Sequence, residues 1–178
     1  FRELCDQYDG LPVFYQADAE NLALYVDLGL SMLNLGDEAL VDLTAFALDQ
    51  PDFRDLRDGH RRSGKEGATF EVISPMAVPS ILPELRTISE HWINAHKTRE
   101  KGFSVGQFDE AYLTRFPCAV VRKDGRIVAF TNLWLGAGLH ELSIDLMRYV
   151  PHQIYGVMDF MFVELILWGQ RQGYRWLN

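Results

Sequence analysis

Cysteine is nearly missing from this 178-residue chain: only Cys5 and Cys118 occur, and neither has another Cys or a His at ligand spacing. That excludes a disulfide framework and a thiolate metal centre, and the chain reads as one that works reduced. Long apolar runs are also lacking. A bilayer span needs about 20 consecutive apolar residues, and the most apolar segment, Val157 to Trp168, is shorter and carries Asp159 and Glu164. Basic residues are the third deficit, with 17 Lys and Arg against 25 Asp and Glu and a net charge of −8. This excludes a protein that coats nucleic acid through general positive charge, while leaving room for a local basic patch. No Gly-x-Ser-x-Gly pattern surrounds Ser143, so a nucleophile-elbow hydrolase has no support. The chain opens on Phe1 without a secretory leader and stops at Asn178 inside a strand-like run, so an excised fragment is expected.

What is present is a 48% hydrophobic composition, enough for a substantial core. The most informative stretch is HELSIDLMR, His140 to Arg148. Glu141, Ser143 and Asp145 alternate with Leu142, Ile144 and Leu146, the period-two pattern of a strand with one polar and one apolar face. Asp145 and Arg148 fall where that strand should end, a common place for ligands in open α/β sheets. Their parity is opposite, so they share a cleft only if the strand ends or bulges between them. A structural salt bridge at a strand end is the alternative reading.

Upstream, Leu11 to Ala17 is expected to be a short strand, with Asp18, Ala19 and Glu20 opening a helix over Asn21 to Leu28 that Gly29 ends. Leu30 to Leu35 and Ala39 to Leu43 are expected to form a hairpin around Gly36-Asp37. Pro51 to Lys65 is the cationic stretch, with Arg54, Arg57, His60, Arg61, Arg62 and Lys65 against Asp52, Asp55 and Asp58. It is either a solvated helix or linker with local charge pairs or a phosphate-contacting segment.

Ala68 to Ile73 alternates like a strand. Met76 to Ala95 has the three- and four-residue apolar spacing of an amphipathic helix whose stripe is core. His91 and His96, five apart, suit surface or internally satisfied histidines better than two metal ligands. Lys97 to Phe108 reads as a loop containing Gly102 and Gly106, and Lys97, Arg99 and Lys101 form a second small basic cluster. Cys118 to Arg122 and Arg126 to Leu135 form a hairpin around Asp124-Gly125. In its second strand Val128, Phe130, Asn132 and Trp134 are expected to share one face, and Ile127, Ala129, Thr131, Leu133 and Leu135 the other. Asn132 is the polar exception that needs a partner. Val157 to Gln172 is a buried helix closed by Gly173, and Tyr174 to Leu177 starts another strand.

From Phe70 onward the order is strand, long helix, three antiparallel strands, helix, strand. This resembles the mixed α/β sheet with flanking helices of the Gcn5-related N-acetyltransferase group. There, a loop of the form Gln/Arg-x-x-Gly-x-Gly/Ala at a helix N-terminus holds a pyrophosphate on backbone N–H groups. Gln153 and Gly156 match that loop, and Met158 departs from it.

A longer resemblance runs through EKGFSVGQFDEAYL (100–113), GRIVAFTNLW (125–134), ELSIDLMRY (141–149) and MDFMFVELILWGQRQGYRWLN (158–178), together with PVFYQ (12–16), LYVDLGL (24–30) and KEGATFEVI (65–73). These stretches are similar to the C-terminal cytosolic domain of the bacterial phosphatidylglycerol lysyltransferases, the multiple peptide resistance factors. The resemblance implies two tandem acyltransferase-like domains, with residues 1–50 the end of the first, 51–67 a basic connecting helix and 68–178 most of the second, incomplete at its C-terminus.

It further implies transfer of lysyl or alanyl from aminoacyl-tRNA to phosphatidylglycerol at the cytoplasmic face of the inner membrane, giving resistance to cationic peptides. Neither a metal nor a cofactor is implied. Asp145 and Arg148 carry over as the residues where the aminoacyl end meets the lipid. The carboxylate accepts the attacking hydroxyl's proton or holds the donor amino group, and the guanidinium holds a phosphate or oxyanion. Asn132, Glu141, Ser143, Gln153 and Gly156 are the expected substrate contacts, and Arg57, Arg61, Arg62 and Lys65 the expected tRNA contacts. The family continues past the position of Asn178, so a chain of this extent is expected to be inactive alone. The rivals are an acetyl-coenzyme A dependent N-acyltransferase, resting on Gln153 and Gly156, and a non-catalytic module that docks tRNA or anionic membrane through 54–65 and 97–101.

Overall fold

A computed structural model describes residues 1–17, 19–100 and 106–178. Asp18, Lys101 and Gly102, which figure in the sequence reading, lie outside the described residues. The chain divides into two compact units, Phe1–Asp37 and Glu38–Asn178.

The first unit holds two short helices, α1 (Arg2–Gln7) and α2 (Leu22–Asp27). Rings of Phe1, Phe14 and Tyr25 pack in series at 5.4 and 4.9 Å, and Arg2 donates to the Leu28 carbonyl at 2.9 Å. The helix expected over Asn21 to Leu28 is present. The strands expected at Leu11 to Ala17 and Leu30 to Leu35 are not formed among the described residues, and most of those side chains are exposed. An isolated hairpin gains too little burial to persist.

The second unit is a six-stranded mixed sheet in the order β1-β6-β5-β4-β3-β2. The strands are β1 (Val41–Asp42), β2 (Thr69–Ile73), β3 (Cys118–Lys123), β4 (Arg126–Leu135), β5 (Glu141–Tyr149) and β6 (Trp176–Leu177). Val41 therefore pairs with Leu177 at the sheet edge rather than with the 30–35 stretch. Gln170 holds the following residues by donating to the carbonyls of Leu43 and Phe46, both at 2.8 Å. The β3–β4 hairpin turns at Asp124 and Gly125, both at positive φ, as its Asp-Gly dipeptide predicts. Only β5 and β6 run parallel, joined by the helix α6 (Val157–Gln172).

Helices cover both sheet faces. On one, α6 buries a core that includes Leu133, Leu142, Met161 and Leu165, and α3 (Arg54–Lys65) packs on α6, with His60 stacked on Phe160. On the other, α4 (Leu82–Ala95) packs Leu85 and Ile88 against Val120, Phe130 and Leu146. The long helix expected from Met76 starts six residues later. Pro79 and Pro83 lack the N–H that a continuous helix needs, so a one-turn 3-10 segment at Val78–Ser80 precedes α4, and Met76 is left 93% exposed.

Two irregularities break the period-two pattern. Val121 pairs with Ala129 and Arg122 with Ile127, so Val128 is an extra residue. It joins the α6-side core while Ile127 joins the α4 side, the reverse of what strict alternation gave. In the second, Thr131 pairs with Met147 and Leu133 with Ile144, so Asn132 alone opposes Asp145 and Leu146. This bulge lies in the middle of the HELSIDLMR strand.

Candidate functional site

The bulge decides which side chains meet. Two residues opposing one reverse the parity of β5, so Asp145 and Arg148 share the face of Phe130, Asn132 and Trp134, the condition under which they line one cleft. Asn132 stabilises the irregularity. Fully buried, it accepts the Leu146 N–H on Oδ1 at 2.8 Å and donates through Nδ2 to Asp145 Oδ2 at 3.3 Å. Its need for a partner is met inside the protein.

A second donor comes from the four-residue helix α5 (Glu110–Leu113). Asp109 caps it by accepting the Tyr112 N–H at 2.7 Å, which fixes the first turn of the helix that carries Tyr112. The Tyr112 hydroxyl donates to Asp145 Oδ2 at 2.9 Å and accepts from the Trp134 indole at 3.0 Å. Partial burial, together with the Asp145 carboxylate, raises the phenol above its ordinary range and keeps it protonated. Gly106 closes the site from above. A Cβ there would sit 2.7 and 2.8 Å from the two Asp145 carboxylate oxygens and 2.8 Å from Leu146 Cβ.

Arg148 is held just as tightly, and by other groups. Its guanidinium lies 4.2 Å over the Trp92 ring, Nη2 donates to Glu100 at 3.1 Å, and Nη1 donates to the Met147 carbonyl at 3.0 Å. Nε is buried and has no hydrogen-bond partner among the described residues. Burial pulls this guanidinium below its ordinary range and Glu100 opposes that; arginine stays charged under both influences. A groove of about 620 Å³ between α4 and the 108–111 stretch is lined by Ser89 and Glu100 but not by Asp145.

Of the other expected contacts, Ser143 stands directly across from Trp134 on the same face, whereas Gln153 and Gly156 lie in the loop before α6. Ser143 donates to Glu141 at 2.8 Å, and Asn178 donates to the same carboxylate at 3.3 Å. Gln153 is exposed, and its carbonyl accepts from Lys123 at 2.7 Å. Gly156, at φ 64°, is the N-cap of α6, a left-handed position that suits glycine. Helix α3 closes over this loop: buried Ser63 donates to the Tyr155 carbonyl at 2.9 Å, and Arg62 lies 4.6 Å over the Tyr155 ring.

Within α3 the four expected tRNA contacts divide. Arg61, Arg62 and Lys65 are exposed. Arg57 is half-buried and holds the carbonyls of Leu48 and Gln50 at 3.0 and 3.3 Å. Of the histidines, His91 and His96 are satisfied on the carbonyls four residues earlier, and His60 pairs with Glu164 at 2.8 Å. No cluster of metal-ligating side chains occurs among the described residues.

The family model described as phosphatidylglycerol lysyltransferase, C-terminal, matches residues 1–178. The chain belongs to that family. It is 40% identical over 162 residues to a phosphatidylglycerol lysyltransferase of Bacillus subtilis (strain 168), covering 90% of this chain and 19% of that protein. To the protein of the same name from Staphylococcus aureus (strain MSSA476) it is 32% identical over 167 residues, 93% of this chain and 20% of the relative. The chain thus spans about a fifth of the curated relatives it matches. The solved structure of L-PGS from Bacillus licheniformis superposes with a TM-score of 0.92 at 41% identity, covering all of this chain and 56% of that one.

The fold has the mixed α/β sheet with flanking helices that the order of elements in the sequence led one to expect. Sequence reasoning missed Tyr112, Trp134, Gly106 and Glu100 as neighbours of the DLMR residues. One local signal was available: Asp109 three residues before Tyr112 is an N-cap pattern that marks the start of the helix carrying the tyrosine.

Proposed function

We propose that this chain forms part of an enzyme that transfers an aminoacyl group, lysyl or alanyl, from aminoacyl-tRNA to a glycerol hydroxyl of phosphatidylglycerol at the cytoplasmic face of the inner membrane. In the reaction the lipid oxygen forms the new ester bond, the bond to the tRNA ribose oxygen breaks, and the hydroxyl proton ends on that ribose oxygen. No metal or cofactor is needed, because the donor is already an activated ester. Aminoacylation adds positive charge to an anionic lipid, and the resistance to cationic peptides follows from that charge.

The observation that carries the reading is the Asp145 carboxylate, held on a strand bulge by donors from β4 and α5 in a chain of the lysyltransferase family. Two roles fit a carboxylate so fixed: taking the hydroxyl proton, or holding the donor's ammonium group. Arg148 supplies positive charge on the same face, which suits a phosphate or oxyanion oxygen. Exposed Arg61, Arg62 and Lys65 supply the tRNA contact, while Arg57 holds the helix entry. The acetyl-coenzyme A alternative rests on the loop that α3 closes over.

In the full-length protein, Asp145→Asn is expected to lower lipid aminoacylation by about 100-fold or more while leaving the fold unchanged. Transfer of radiolabelled lysine from lysyl-tRNA to phosphatidylglycerol vesicles measures this. Activity near the wild-type rate would remove Asp145 from the reaction.

A further inference from the structure

Tyr112 lies outside the DLMR motif, yet the chemistry of its neighbours leaves its hydroxyl only one orientation. The indole Nε1–H of Trp134 can only donate, so at 3.0 Å the Tyr112 oxygen must accept. An ionised carboxylate can only accept, so the single phenol proton points at Asp145 Oδ2, 2.9 Å away. Asn132 is fixed by the same logic: its Oδ1 takes the Leu146 N–H, which turns its NH₂ to Oδ2. Both side-chain donors therefore converge on Oδ2, and among the described residues none reaches Oδ1.

We propose that Tyr112 is a positioning residue for the transfer reaction: backed by Trp134, it clamps Oδ2 of Asp145 so that Oδ1 is the oxygen presented to the substrate's hydroxyl or ammonium group. The proposal rests on Asp145 being the reacting carboxylate. The Asp109 cap on the Tyr112 N–H and the Phe116 ring 4.8 Å from the tyrosine ring hold the side chain independently of its hydroxyl. Tyr112→Phe should therefore remove the clamp and keep the packing. Trp134 is 46% exposed, so Trp134→Phe removes the indole donor with little cost to the core.

Steady-state kinetics on the full-length protein, with lysyl-tRNA and phosphatidylglycerol vesicles, test this. Tyr112→Phe is expected to lower kcat about tenfold or more, with KM for both substrates within about twofold of wild type. Trp134→Phe should give a smaller fall in kcat, and the double variant no more than Tyr112→Phe alone, because the two residues act in series. Wild-type kcat in Tyr112→Phe alongside an inactive Asp145→Asn would overturn the clamp and leave the reading of Asp145 standing. An active Asp145→Asn would overturn both. A raised KM at unchanged kcat, or fully additive losses in the double variant, would overturn a positioning role for Tyr112.

Discussion

Asp145 owes its place to one extra residue. Without the bulge opposite Asn132, strict alternation would put Asp145 and Arg148 on opposite faces of β5, and no choice of rotamer would bring them to one cleft. The carboxylate is then confined by hydrogen bonds from Tyr112 and Asn132, and Gly106 leaves no room beside it for a side chain. Gly106→Ala places a methyl carbon under 3 Å from both carboxylate oxygens and from Leu146 Cβ, so either the backbone or Asp145 must move. Crowding of this kind costs about 1–3 kcal/mol. The expected result is a lowered unfolding temperature of the purified protein together with at least a tenfold loss of transfer activity; a variant with the stability and rate of wild type would show that the glycine is incidental. By contrast, Cys118 is a packing residue. Burial pushes its thiol up to about 12, so at neutral pH it is an inert apolar side chain.

At the scale of elements, the joint between α3 and α6 stands out. Ser63 is 1% exposed and links α3 to the loop before α6, with His60 stacked on Phe160 at 4.9 Å and paired with Glu164 nearby. Ser63→Ala leaves the Tyr155 carbonyl without its side-chain donor, and a loss of about 1 kcal/mol is expected from chemical unfolding. No shift in the unfolding midpoint would mean that the joint is held by its apolar contacts alone. Most elements were legible in the sequence because their signals are local: the Asp-Gly hairpin, the apolar α6 with its terminal glycine, and the period-two pattern of β5. The two bulges were not, because an extra residue leaves no mark on a hydrophobic pattern. The hairpin expected around Gly36-Asp37 did not form because a two-stranded ribbon buries little, whereas Val41 at the edge of a six-stranded sheet extends an existing ladder.

At the scale of the whole molecule, the net charge of −8 and the cationic α3 act at different ranges. For the proposed tRNA contact, the acidic balance of this chain opposes long-range attraction, so the contact would depend on exposed side chains close to phosphates, which salt screens. Replacing Arg61, Arg62 and Lys65 together by Ala should weaken tRNA binding and flatten the plot of log affinity against log salt by about two to three units, one for each lost phosphate contact. Arg57→Ala should leave that slope intact and lower stability instead, since its guanidinium holds two carbonyls ahead of the helix. Equal slopes in the triple variant and wild type would exclude α3 from the tRNA contact.

The sequence by itself determined the class of the fold, the family, and the presence of a carboxylate and a guanidinium on a half-polar strand, because these follow from composition, periodicity and motif. That Asp145 sits at the centre of β5 rather than at its end was decided by the pairing with β4. Only the tertiary structure decided that Asp145 and Arg148 share a face, that Asn132 and Tyr112 both hold one carboxylate oxygen, and that Arg57 braces the helix while its neighbours face solvent. Those outcomes depend on contacts between residues such as Tyr112 and Asp145, far apart in the chain, and no local pattern encodes the register that brings them together.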